Sequence, residues 1–244
     1  MTAALHCRLA NHPEKTRLYA FVRCEFASLR TTLKSVYSRC VAPQNCVEHS
    51  HCEKTMRRPA IFVIDMLNDC FGHAELKRLR ASLCASINQL TDIARTKGFP
   101  VIWVRQEFEA DLSDAFVDMR KENIRMFIKG TRGPLVLDEL VRADLDIEIV
   151  KKRYSMFYGT DLESLLEDLQ IDSLILAGVN SHACIRTSAI DAYQRDFPVT
   201  IVRECVASKD VTHHEVTMDY LDGGIATVVA LGELGKQFGK ENFA

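Results

Sequence analysis

Residues 172–205 read DSLILAGVNSHACIRTSAIDAYQRDFPVTIVREC, and the order of patterns within them decides the fold. The apolar run LILAGV (174–179) is short and lacks polar alternation, which suits a strand buried on both faces. ACIRTSAIDAYQRD (183–196) follows as a helix, and Pro198 then opens the β-branched run VTIV. Two strands joined by a helical crossover rather than a tight turn run parallel.

Outward from this stretch the same unit recurs. AIFVID (60–65) and PVIWVR (100–105) are strands on either side of a helix over about 75–97 that Gly98 stops. LDIEIV (145–150) is a third buried strand, followed by the helix GTDLESLLEDL (159–169). HHEVTMDYLDG (213–223) predicts a further helix and IATVVAL (225–231) a last strand. Strands that alternate with helices bury their sheet under a helical layer on each face. The pattern predicts an α/β fold, a Rossmann-like three-layer α/β/α sandwich around a central, mostly parallel, six-stranded sheet. Ligands in such sheets bind beyond the carboxyl ends of the strands.

The 244 residues are 47% apolar and 26% charged, the profile of a globular protein, and are too few for two full domains. The net charge is −2, yet residues 1–58 carry ten Lys and Arg against four Asp and Glu. All eleven glycines fall after residue 58, whereas five of the nine cysteines fall before it. The sequence therefore divides into a basic, Cys-rich N-terminal extension (1–58) and one α/β domain (59–244). No run of about 18 apolar residues spans a membrane and no apolar leader is present, so the expected compartment is the cytoplasm. An odd cysteine count without a secretion signal points to free thiols. Neither nucleic acid nor a membrane is expected as a partner.

Within the extension, Leu18, Phe21, Val22, Phe26, Leu29, Leu33 and Val36 recur at helical spacing among basic residues. The extension is expected to be poorly ordered or one basic amphipathic helix; among an organelle presequence, a partner-binding arm and sequence that a later start at Met56 would remove, disorder or weak docking is favoured over a dedicated function. CVEHSHC (46–52) contains metal-ligating residue types, but its spacing matches no common zinc module.

The strand-end rule selects three residues for chemistry. Asp65 closes the first strand, Lys151 follows the third, and Cys184 lies just past LILAGV at the start of the next helix. A thiol there meets unpaired backbone N–H groups and the positive end of the helix dipole, which favour thiolate. Each residue alone has a plain reading: a buried thiol, a loop cap like Asn68 or Asp69, a solvent-facing lysine. Together on one rim they supply attacker, proton acceptor and electrostatic support for acyl transfer.

IFVIDMLNDCF (61–71), IVKKRYSMFYGTDL (149–162) and LILAGVNSHACIRTSAIDAYQRDFPV (174–199) resemble three motifs of the isochorismatase-like cysteine hydrolases. The resemblance covers about residues 59–230. It implies a catalytic triad of Asp65, Lys151 and Cys184, with Lys151 chosen over Lys152 because it stands six residues before Phe157. It further implies a cis peptide between Val179 and Asn180, an oxyanion hole of the Asn180 and Cys184 backbone N–H groups, and a thioester intermediate. A small-molecule substrate and a homo-oligomer, dimer or tetramer, complete what the resemblance implies.

Metal-binding nicotinamidases of that family carry an Asp-x-His-type cluster after the second strand, whereas VRQEFEADLSDAF (104–116) has no histidine here. No metal and no cofactor are expected. Vinyl-ether-cleaving isochorismatases need no thiol, so Cys184 favours C–N hydrolysis of a small amide, ureide or carbamoyl compound. Arg105 and Gln106 are placed to hold a substrate carboxylate or carbonyl, and Phe71, Tyr154, Phe157 and Tyr158 to wall the site, with specificity in the loops of 106–134. His182 invites a Cys–His dyad, against which stands the divergence of neighbouring loop side chains. The alternatives are a vinyl ether hydrolase, a non-catalytic small-molecule binding module on the same fold, and a thiol redox protein using Cys70, Cys84, Cys184 and Cys205. No Cys-x-x-Cys motif supports the last.

Overall fold

The computed structural model describes residues 58–240. The amphipathic pattern of residues 18–36 and the CVEHSHC cluster lie outside the described residues. Six strands form one sheet: β1 (Pro59–Ile64), β2 (Val101–Gln106), β3 (Ile147–Lys151), β4 (Ser173–Val179), β5 (Val199–Ala207) and β6 (Thr227–Val229). Their spatial order is β3-β2-β1-β4-β5-β6, and every neighbouring pair is parallel. The expected three-layer α/β/α architecture is present, with all strands parallel rather than most.

Residues of opposite parity along each central strand feed opposite cores. Ile61, Val63, Val101, Trp103, Ile175 and Ala177 pack against α1 (Ala74–Thr96) on one face. Ala60, Phe62, Ile64, Ile102, Val104, Leu174 and Leu176 face the other layer. That layer is α3 (Leu162–Asp168), α4 (Arg186–Tyr193) and α5 (Val211–Leu221). Helix α1 ends as the sequence predicts: Gly98 takes φ 72° and the Phe99 N–H donates to the Ala94 carbonyl at 2.9 Å, closing the last turn.

Three features depart from the sequence reading. β3 is an edge strand with alternating exposure, not a buried one, because no strand among the described residues pairs beyond it. The short α2 (Val117–Glu122) buries none of its residues and so leaves no apolar stripe to read. IATVVAL yields only the three-residue β6, and its last leucine opens α6 (Leu231–Lys240). Leu231, Leu234 and Phe238 of α6 join the α1 core, with the Phe238 ring edge-on to Phe99 at 5.0 Å.

Strand order reverses between β1 and β4, which makes their carboxyl ends the topological switch point where α/β sheets open a crevice. Gly178 of β4 stands so close to β1 that an added Cβ would lie 2.0 Å from the Ile64 carbonyl oxygen, and its φ is 117°. Only glycine fits there. Asp65 follows immediately and takes φ 53°, a left-handed conformation that aspartate tolerates better than most residues. Asp65 and the loop after β4 are thereby brought to the same crevice.

Candidate active site

Asp65 leaves β1 with both carboxylate oxygens committed. Oδ1 accepts the Gln106 backbone N–H at 3.0 Å, and Oδ2 lies 2.7 Å from the Lys151 ammonium. The second contact is a close ion pair rather than an aligned hydrogen bond, so Oδ2 keeps lone-pair capacity. Lys151 ends β3 beside Gln106 of β2, and its side chain reaches Asp65 at the end of β1. Its Nζ lies 3.5 Å from Cys184 Sγ and donates to the Arg153 carbonyl at 3.2 Å. Lys151 is wholly buried, Asp65 is 2% exposed and Cys184 5%. An ammonium so placed is tolerated only because its counter-ion is in contact.

The loop after β4 delivers the thiol. The Val179–Asn180 peptide is cis, and residues Ser181–Ile185 form one wide turn in which the Ile185 N–H donates to the Asn180 carbonyl at 3.3 Å. Cys184 stands in this turn, leading into α4. Burial first, then the charge of Asp65, pushes the Cys184 thiol well above its ordinary value and outweighs Lys151, so it rests protonated at neutral pH. The thiolate preference expected at a helix start does not prevail, because desolvation is the larger effect. Burial also opposes charge on Lys151, but Asp65 and then Cys184 overcome it and raise its pKa.

Asp65 and Cys184 open into a cavity of about 670 Å³. Its apolar lining is Phe108, Phe116, Met119, Ile124, Met126 and Phe127, with the Tyr154 ring tilted against Phe116 at 4.8 Å between centroids. Asn180, His182 and Lys209 line it too. Asp69 ties down the apolar wall, since its Oδ2 accepts the Phe127 N–H at 2.6 Å and lies where a Cβ on Gly133 would sit. Asn68 helps by donating its side-chain amide to the Leu135 carbonyl at 2.9 Å.

The sequence-selected residues divide. Asp65, Lys151 and Cys184 come together, and Asn180, Gln106 and Tyr154 line the cavity beside them. Gln106 is 4% exposed, and its side-chain Nε2 has no hydrogen-bond partner. Arg105 does not line the cavity: its guanidinium pairs with Glu148 at 2.8 Å and Glu107 at 3.2 Å. Phe71 and Phe157 are core residues under the guanidinium groups of Arg80 and Arg195, and Tyr158 points to solvent, 66% exposed. His182 forms no dyad with Cys184; its Nδ1 is 2.6 Å from Ser208 Oγ. Sequence reasoning missed Lys209, two residues past the end of β5, and although it placed specificity in the loops of 106–134 it did not single out the Met and Phe positions of 116–127.

Among the described residues no group of three His, Cys, Asp or Glu side chains is gathered as a metal site. The acids of 104–116 serve the loop itself: Glu109 pairs with Lys129 at 3.0 Å and Asp114 with Lys152 at 2.8 Å.

Residues 59–233 match the isochorismatase domain family model. The chain belongs to the isochorismatase family. Relatives within the isochorismatase family include a protein of Arabidopsis thaliana named "Probable inactive nicotinamidase", 31% identical over 180 residues that cover 70% of this chain and 92% of the relative. Maleamate amidohydrolase of Pseudomonas putida is 28% identical over 178 residues, 71% of this chain and 83% of that enzyme. The crystal structure of N-carbamoylsarcosine amidase from Thermoplasma acidophilum superposes with a TM-score of 0.62 at 29% identity, covering 71% of this chain and 96% of that one. Amide hydrolysis is thus represented among its isochorismatase-family relatives, and no described helix is long and apolar enough to cross a membrane.

Proposed function

We propose that the protein is a cysteine hydrolase that cleaves the C–N bond of a small amide, ureide or carbamoyl compound through a thioester. The observation that carries this reading is the buried contact series Asp65–Lys151–Cys184, whose two ends line the cavity. Asp65 Oδ2 accepts the Cys184 proton as Sγ attacks the substrate carbonyl, and the Lys151 ammonium balances the negative charge that passes from carboxylate to sulfur. The backbone N–H groups of Asn180 and Cys184 receive the developing oxyanion; such donors contribute about 3–4 kcal/mol each in comparable sites. Collapse breaks the C–N bond, and the amine leaves with the proton held on Asp65. A water then gives its proton to Asp65 and attacks the thioester, and Cys184 leaves and is reprotonated. Gln106 donates its unpartnered amide to the substrate, and Tyr154 packs against its acyl part.

Residues 59–244 act as the hydrolase domain in this proposal. The cytoplasmic location and the dimer or tetramer expected from the sequence belong to it too, with fractionation and sedimentation velocity as their measurements. Cys184→Ala is expected to abolish ammonia release from a panel of amides, ureides and carbamoyl acids while leaving the circular dichroism spectrum and melting temperature near those of the parent. Turnover by that variant at a normal rate would sink the assignment. The name of the Arabidopsis relative makes non-catalytic binding the rival outcome. It is favoured if the parent binds panel members but releases no ammonia.

A further inference from the structure

A second cavity, of about 280 Å³, opens between α1, the end of β5 and the start of α5, and shares no lining residue with the candidate catalytic cavity. An irregularity in the sheet shapes it. β5 advances five residues, from Ile201 to Val206, while β4 advances two, from Leu176 to Gly178. The surplus bulges out at Arg203 and Glu204, the two exposed residues of an otherwise buried strand. Consecutive side chains of a regular strand point to opposite faces. The bulge is what lets the neighbours Arg203 and Glu204 line one cavity.

Aliphatic side chains dominate the rest of the lining: Leu79 and Leu83 of α1, with Val206, Ala207 and Val211. Its polar groups are satisfied or neutral with two exceptions. Glu75 is paired with Arg78 at 2.5 Å. Burial lowers the His214 pKa, against Glu215 and with help from Arg203, so that ring is neutral at pH 7. Arg203 has no hydrogen bond or ion pair with any described residue. Glu204 accepts the Leu231 N–H with one oxygen at 2.8 Å and has no ion-pair partner among the described residues. One unpaired cation and one unpaired anion therefore border an aliphatic cavity.

Two contacts lead from this cavity to the nucleophile. His214 Nδ1 lies 2.9 Å from Oγ of Ser181, the wholly buried residue that opens the turn of Cys184. Ser208, which also lines the cavity, has its Oγ 2.6 Å from His182 Nδ1 in the same turn.

We infer that this cavity is a regulatory site for a small zwitterion with an aliphatic body, the chemistry of an aliphatic α-amino acid, its carboxylate on Arg203 and its ammonium on Glu204. A ligand seated there holds His214 and Ser208 against the turn. Cys184 is 5% exposed, so a reagent reaches it only when the turn opens, and an occupied cavity opposes that opening. The inference does not depend on which reaction Cys184 performs.

Calorimetry on the full chain compares L-leucine with 4-methylpentanoate and 3-methylbutylamine, which keep its aliphatic body and one charge each. L-leucine should bind about tenfold or more tightly than either, since a hydrogen bond to a charged group is worth that much. Arg203→Met and Glu204→Gln alter exposed positions and should each weaken L-leucine by a similar factor with the melting temperature unchanged. Saturating L-leucine should slow alkylation of Cys184 by iodoacetamide, followed by peptide mass spectrometry, about fivefold, as coupled sites commonly do. Ser181→Ala should keep the binding and lose the protection. Absence of binding at millimolar L-leucine, equal affinity for the three compounds, or binding indifferent to both cavity variants overturns the inference. Saturable binding that leaves the Cys184 rate unchanged overturns it as well. Sedimentation velocity adds a further check: if Arg203→Met dissociates an oligomer formed by the parent, the cavity is a subunit contact and the inference falls.

Discussion

Gln106 buries a side-chain amide nitrogen with no partner, and a buried polar group left so costs about 1–3 kcal/mol. Its backbone N–H meanwhile steadies the Asp65 carboxylate. In the proposed reading the side chain is kept at the expense of stability because it serves the substrate. Gln106→Met, similar in volume and without the amide, should raise the melting temperature by a few degrees and lower kcat/KM by about tenfold or more, chiefly through KM. Differential scanning calorimetry and steady-state kinetics on the same preparation check the two signs. A fall in both would mean that the amide serves the fold. Lys151 differs, because its charge is matched by contact with Asp65, and removing it would strand a buried carboxylate.

At the scale of elements, the approach of β1 to β4 determines where Asp65 sits. Gly178→Ala would drive a methyl group into the Ile64 carbonyl and strain a backbone at φ 117°. Separating the two strands at the switch point should cost about 3 kcal/mol or more, read by urea unfolding, and should displace Asp65 from Lys151 so that turnover falls as well. The central elements were legible because their signals are local: LILAGV and AIFVID are apolar along their whole length, and α1 has both an apolar stripe and a terminal glycine. Asp65, Lys151 and Cys184 were legible for a different reason, since each ends or follows a strand whose direction the crossovers dictate. What the sequence hid depends on partners far along the chain. Arg105 reads as a ligand-binding cation until Glu148, on another strand, is seen to hold it. Phe71 and Phe157 read like Tyr154, and only packing separates core ring from cavity ring. Ser208, whose hydroxyl lies 2.6 Å from His182 Nδ1, is an unremarked serine until β5 is laid beside β4.

For the whole molecule, the four described cysteines are all buried free thiols. Burial raises Cys84 from 9.0 to about 11 and Cys205 from 9.0 to about 12, while Cys70 and Cys184 are also pushed up, again by burial first. The unfolded chain releases these protons near pH 9, and the folded protein holds them to higher pH. Each thiol thus adds stability that is complete below about pH 9 and declines as pH rises towards its folded value. Denaturant unfolding measured from pH 8 to 11 should show a steady loss of stability, and Cys84→Ala should flatten the curve between 9 and 11. A curve that stays level over that range would contradict the arrangement.

The same sheet order has a consequence in time. β1 is synthesised first, but one of its two neighbours is β4, whose residues follow β2 and β3 in the chain. Pairings of such long sequence separation form late, and synthesis proceeds from the N-terminus at about 5–20 residues per second. While the ribosome works through β2 and β3, the β4-facing edge of β1 stays open, with Ile61, Phe62, Val63 and Ile64 as its apolar segment. Asp65 reaches its working place only when Gly178 closes that edge. Nascent chains halted before β4 therefore lack the site altogether and present a sticky strand, which marks them for chaperones or proteolysis rather than for partial activity.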